Sequence, residues 1–294
     1  MKRRFSLKVW IMDSFEQVLQ VFMLIGVISL PFIFDFQSVV EIKKPDMEIQ
    51  ELVIYYALRH GKICISIILA VIMIKNFHSI NSKKVLNKGN LYHRRTMFGY
   101  WICSHILGYS KCSLIRVPIS DQFKLILSDM FTDYICGNYE KASEDEKISV
   151  RKVGEPLHSD LLQQNATSDV SIFRFDVEEV YIVISDTYPI TDNMLPDRCD
   201  ENNTIIIQRE KNREDYTRYE SKALINRVLN IIKHIDNEVI INILPTTNVI
   251  NTYGIANEVF KTGRQDNIKS LYVFPQLHES SCDWAFADKG IKIF

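Results

Sequence analysis

The 294-residue chain carries 35 basic against 36 acidic side chains, a formal net charge of −1, so global charge designates no polyanionic partner and no DNA or RNA polymer is expected. With 47% hydrophobic and 24% charged residues it has the make-up of a folded protein, and its 10 glycines leave little room for glycine-rich phosphate loops. Most of the long uncharged apolar runs lie in the first quarter of the chain.

The start is basic, with Lys2, Arg3, Arg4 and Lys8 ahead of an apolar stretch. That layout resembles a secretory signal, but no small-x-small cleavage site precedes Asp35, so the stretch reads as a retained anchor. Val18 to Phe34 is free of charge, and one more turn at each end gives the roughly 20 residues needed to cross hydrocarbon. Pro31 falls near the far end, where a spanning helix tolerates it.

A second apolar run, Ile63 to Ile74, is too short to cross alone and needs its flanks. One register runs from about Gly61 to His78, with Lys75 snorkelling to the surface. The other begins near Leu52 and buries Arg59, His60 and Lys62 at some depth, which is costly unless they face a partner helix or water. The spans are expected at about residues 16–36 and 58–78, within a hairpin unit covering residues 1–95.

Loop charge gives the orientation. The flank after the second span carries Lys75, Lys83, Lys84, Lys88, Arg94 and Arg95, whereas the connecting segment holds Glu41, Asp46, Glu48 and Glu51 against Lys43 and Lys44. Positive flanks stay inside, so both termini are expected in the cytoplasm, with the basic flank against anionic headgroups.

Residues 96–294 read as a cytosolic α/β domain. Met97 to Leu107 and Phe123 to Ile135 have helical spacing, and Asn138 to Ser168 reads as loop with short strand. Beyond it, strands at Val177 to Ile184, Thr204 to Gln208, Val239 to Leu244 and Leu271 to Phe274 alternate with helices at Tyr219 to Ile235 and Val249 to Lys261. Such alternation predicts parallel strands with crossover helices, a Rossmann-like sheet. Ligands of these sheets bind at the carboxyl edge. Ser185, Asp186, Thr187 and Tyr188 follow the first strand, and Thr246, Thr247 and Asn248 follow the third. Small hydroxylated loops before helix starts offer N–H and O–H groups to phosphate or nucleobase, and equally serve as ordinary helix caps. Tyr253 and Arg264 complete the candidate ligand set.

The six cysteines form no C-x-x-C pair and read as reduced thiols, with no metal site expected. The seven histidines share no spaced motif with a nucleophile or paired carboxylates, so no catalytic residue is expected and the chain reads as a non-enzyme. Trp284 and Phe286 either stack on a base or plug the sheet.

Over residues 178–274, the strand ending in a Ser turn, the pair Leu195 and Pro196, the Pro245 turn and Gly254 in the following helix are similar to the C-terminal half of SAVED domains. These are CARF-like sensors of cyclic oligonucleotides in bacterial CBASS anti-phage systems; Thr96 to Ser168 shows no matching first half. The resemblance implies a transmembrane effector that needs no cofactor and is activated by a cyclic di- or trinucleotide. Binding would drive homo-oligomerisation and disruption of the lipid bilayer, with Arg59, His60 or Lys62 lining a water-filled defect. A membrane adaptor that recruits a protein and a membrane-tethered nucleotide hydrolase using Asp186 are the alternatives.

Overall fold

Residues 7–33, 61–89, 92–93, 95–143, 145–154, 177–210, 217–235, 238–263, 268–278 and 284–294 are described by a computed structural model. Arg59, His60, Arg264, Cys282 and the outer ends of the expected spans, 34–36 and 58–60, lie outside these residues.

Helices α1 (Leu7–Ile33) and α2 (Gly61–Asn81) form the two apolar rods, with Pro31 in the last described turn of α1. Within them Ser14–Ile33 and Gly61–Asn81 are 20 and 21 residues long, enough to cross a bilayer. The helices pack antiparallel: Ser66 Oγ donates to the Ile28 carbonyl at 2.8 Å, and Gln20 pairs with Asn81 through amide bonds of 3.0 and 3.3 Å. Phe15, Phe22, Ile25, Ile67, Ile68 and Ile72 point outward and exposed, an apolar girdle suited to hydrocarbon and costly in water. α2 runs three residues beyond the expected His78, because Phe77 and Asn81 are buried against the rest of the protein.

A small parallel sheet begins ahead of Thr96 and runs into the segment that shows no CARF-like first half. Its strands β1 (Val85–Leu86), β2 (Lys111–Ser113) and β3 (Asp133–Ile135) pair in chain order. Two helices cross over between them, α3 (Met97–Trp101, continuing as a π-type turn Ile102–Ile106) and α4 (Ile119–Ser128). The helix expected to reach Ile135 stops at Ser128 because Asp129 takes a left-handed conformation, φ 54°, and the apolar residues after it feed β3 instead. Short strands β4 (Glu140–Lys141) and β8 (Tyr219–Glu220) pair in parallel beside it.

The larger sheet matches the alternation read from the sequence. Strands β6 (Glu179–Ser185), β7 (Thr204–Arg209), β9 (Val239–Pro245) and β10 (Ile268–Val273) form a parallel core in the order β10-β9-β6-β7. Two antiparallel strands, β5 (Ile148–Lys152) beside β7 and β13 (Ile291–Lys292) beside β10, close the edges. Runs such as Ile205-Ile206-Ile207 are buried on both faces, as central parallel strands require. Helices α5 (Lys222–Lys233) and α6 (Val249–Gly254, continuing as the π-type turn Ile255–Thr262) cover one face with Leu224, Val228, Ile232, Ile255 and Val259. Gly254 lets these helices meet, since a Cβ there would strike the Ile225 side chain. On the other face Tyr181, Val183, Ile206 and Phe274 are covered by Ile190 and by Phe286 of β12 (Trp284–Phe286), so Phe286 is an aromatic plug.

Candidate functional site

The chain leaves β6 toward β7 on one side and β9 toward β10 on the other, so the strand order reverses between β6 and β9. A crevice opens outside the carboxyl ends of strands at such a reversal. The loops 185–188 and 245–248 flank it and are stitched together: Thr246 N donates to Ile184 O at 2.8 Å, Thr187 N to Thr246 O at 3.0 Å, and Asp186 N to Thr246 Oγ1 at 3.2 Å.

Asp186 is the centre of the floor. Its Oδ1 pairs with Arg209 Nη1 at 3.2 Å, and its Oδ2 accepts from Asn248 N at 3.2 Å and Asn251 Nδ2 at 2.8 Å. Arg209, at the end of β7, also pairs with Glu146 and lies over the Tyr219 ring, 5.0 Å from its centroid. Ser221 Oγ donates to Glu146 and accepts from Leu224 N, capping α5, while Ser221 N donates to Asn251 Oδ1 at 2.9 Å. Asn248 caps α6 through Asn251 N and reaches Tyr219 O with its amide at 2.8 Å.

This network gives the expected loop residues partners within the protein. Ser185, Asp186, Thr246, Thr247 and Asn248 do converge, but they are buried and their polar atoms are bonded within the protein. Ser185 Oγ donates to Tyr188 O at 2.8 Å, Thr246 Oγ1 to Ile184 O at 3.2 Å, and Thr247 Oγ1 meets Thr252 Oγ1 at 2.8 Å. Once loops sink into a crevice, their hydroxyls and amides must find internal partners or leave costly unpaired groups. Both Asp186 oxygens are thus occupied by groups of the protein itself. Tyr253 also stands apart: it lies two positions along α6 from Asn251, on another side of the helix, and packs against Tyr134 with centroids 6.1 Å apart.

What the crevice presents outward is its rim. Tyr188 is 51% exposed, Thr187 is half-buried, and exposed Arg218 donates from Nη2 to the Tyr188 hydroxyl at 3.2 Å. Half-buried Tyr139 joins them; burial pushes its hydroxyl above the ordinary tyrosine range, opposed by the nearby Arg218 charge. Two phenol rings and a guanidinium suit a flat base carrying phosphate. Of the residues the sequence reading missed, Ser221 carried a signal as a cap ahead of an apolar helix, and Arg209 did as a charge ending a strand built on Ile205-Ile206-Ile207; Asn251 reads from the sequence as an ordinary cap residue. Glu146 sits in a charge run and carried none.

A second polar site joins the soluble part to the helices. Asn81 Nδ2 donates to Gln20 Oε1 at 3.0 Å and to the Leu107 carbonyl at 2.8 Å, so one side chain ties α1, α2 and the end of α3 together. Gln17 Nε2 donates to the Tyr109 hydroxyl at 3.0 Å, and His78 Nε2 lies 3.0 Å from the His105 carbonyl. Among the described residues no group of His, Cys, Asp and Glu has the arrangement of a metal site.

Comparison with curated proteins finds no match to this chain. The two bilayer-length apolar helices fit the 2TM of a family whose model matches residues 2–293, and the chain belongs to that family, the SMODS- and Ubiquitin system-associated 2TM effector domains.

Proposed function

We propose that the protein is an inner-membrane effector of anti-phage defence, with both termini cytoplasmic, whose α/β domain senses a cyclic di- or trinucleotide and whose hairpins then assemble to disrupt the bilayer. The observation that supports this reading is the Gln20–Asn81–Leu107 junction, where one buried side chain bonds both apolar helices to the soluble domain and offers a path between them. Family membership supports a membrane effector, and the association with SMODS supports an oligonucleotide trigger.

The sensor is a Rossmann-like, SAVED-like sheet read at its reversal crevice. Tyr139 and Tyr188 stack on bases, Arg218 meets phosphate, and the Asp186–Arg209–Glu146 floor keeps the two loops in place. Ligand shared between copies draws domains together, and their hairpins associate through the outward apolar faces of α1 and α2.

The test is thermal melting of the full-length protein in detergent against a panel of cyclic di- and trinucleotides. At least one member should raise the melting temperature with its concentration, by an amount equivalent to about 2.7 kcal/mol at 100 times its dissociation constant. No shift with any member contradicts the sensor reading.

A further inference from the structure

Between α1, at Glu16 and Gln17, and the segment that follows α2 lies a cavity of about 510 Å³. Four cations line it, Lys83, Lys84, Lys88 and Arg95, against one carboxylate, Glu16. Lys84 pairs with Glu16, and Arg95 Nη2 donates to Gln17 Oε1 at 3.4 Å. Lys83 and Lys88 are exposed and make no ion pair among the described residues. Like charges gathered around one cavity repel each other, and the arrangement is relieved by a bound anion.

Neutral groups add to the match. Tyr109, 2% exposed, accepts from Gln17, and burial raises its hydroxyl above the ordinary tyrosine range, so it stays a proton donor. Asn87, 4% exposed and held at φ 60°, spends its amide hydrogens on Tyr100, Cys112 and Ser113, while its Oδ1 has no partner among the described residues. The wall therefore gathers several cationic donors and the Tyr109 hydroxyl around one cavity. A phosphate, an anion that only accepts, suits such a set of charged and neutral donors.

We infer that this cavity is a phosphate-binding site, separate from the sheet-edge crevice, where a phosphate anion clamps α1 to the loop after α2. The phosphate comes from the cytosol or from an anionic lipid headgroup, since the cavity sits where Ser14–Ile33 and Gly61–Asn81 enter the soluble part. The site rests on membrane insertion alone and not on the nucleotide reading of the crevice.

The experiment uses full-length protein in nanodiscs and reads thermal stability. One arm titrates pyrophosphate in phosphatidylcholine discs; the other replaces phosphatidylcholine with phosphatidylglycerol and adds no pyrophosphate. Stabilisation in the first arm alone assigns a soluble phosphate, in the second alone a headgroup, and in both a site open to either. Lys83→Gln and Lys88→Gln each raise the half-effective anion level by about fivefold, the equivalent of one surface cation. Glu16→Gln lowers it, because the internal competitor for Lys84 is gone. No stabilisation in either arm overturns the proposal, as does an unchanged response in the Lys83→Gln, Lys88→Gln double variant. Arg218→Ala, which removes the cation at the crevice rim, leaves the pyrophosphate and lipid responses intact and so separates this site from the crevice.

Discussion

Asp186 and Arg209 form an ion pair at 3.2 Å with side chains 0% and 5% exposed, and the guanidinium is shared with Glu146, itself 5% exposed. Removing the cation leaves two buried carboxylates facing each other. Arg209→Met should therefore destabilise the protein by about 3–5 kcal/mol. Chemical denaturation in detergent checks this, and a loss below about 1 kcal/mol would show that the floor is open to water.

Asn81 joins Gln20 to the Leu107 carbonyl, and Gln20 is buried beside it. Asn81→Leu leaves the Gln20 amide without its partner, at a cost of about 1–3 kcal/mol. The same variant should bind nucleotide with unchanged affinity yet fail to pass the signal to the helices. A variant that releases vesicle contents at the wild-type nucleotide level contradicts the coupling role.

Tyr188 and Arg218 are exposed and bonded to each other at 3.2 Å. Tyr188→Ala and Arg218→Ala should change unliganded stability by no more than about 0.5 kcal/mol. Loss of one stacked base should weaken nucleotide binding by about 1–3 kcal/mol. Isothermal titration with the stabilising nucleotide reads the effect; wild-type affinity in both variants moves the site away from the crevice.

Burial pushes the Cys136 thiol from its ordinary value of 9.0 up to about 12, with Asp133 and Glu220 acting in the same direction. The folded state thus holds this proton more tightly than the unfolded chain. Its contribution is complete below pH 9.0 and is lost as pH rises from there toward about 12. Cys112 and Tyr134 are raised in the same sense. Cys136→Ala should flatten the alkaline fall in stability by up to about 1.4 kcal/mol per pH unit. Parallel slopes for variant and wild type contradict the assignment.

The large sheet was legible because its strands are apolar runs on both faces and its helices have clear caps, Ser221 before α5 and Asn248 before α6. The small sheet was not, since strands of two or three residues are too short to express a period. Met130 and Phe131 continued the spacing of α4, and only the left-handed turn at Asp129 ends it, a conformation that helical periodicity does not reveal. At the crevice the two loops were found, but hydroxyls and amides that serve a ligand have the same sequence pattern as those that serve neighbouring loops. Glu146, which decides between the two, binds Ser221 from 75 residues away along the chain.

Control of membrane integrity by a nucleotide is tested most directly by dye release from vesicles carrying the full-length protein, with the panel of cyclic di- and trinucleotides added outside to inward-facing hairpins and to soluble domains left accessible. Release should start only with a nucleotide that also stabilises the protein, and should vanish in Tyr188→Ala at the same nucleotide level. Vesicles that stay sealed with every nucleotide, or that leak equally without one, contradict it.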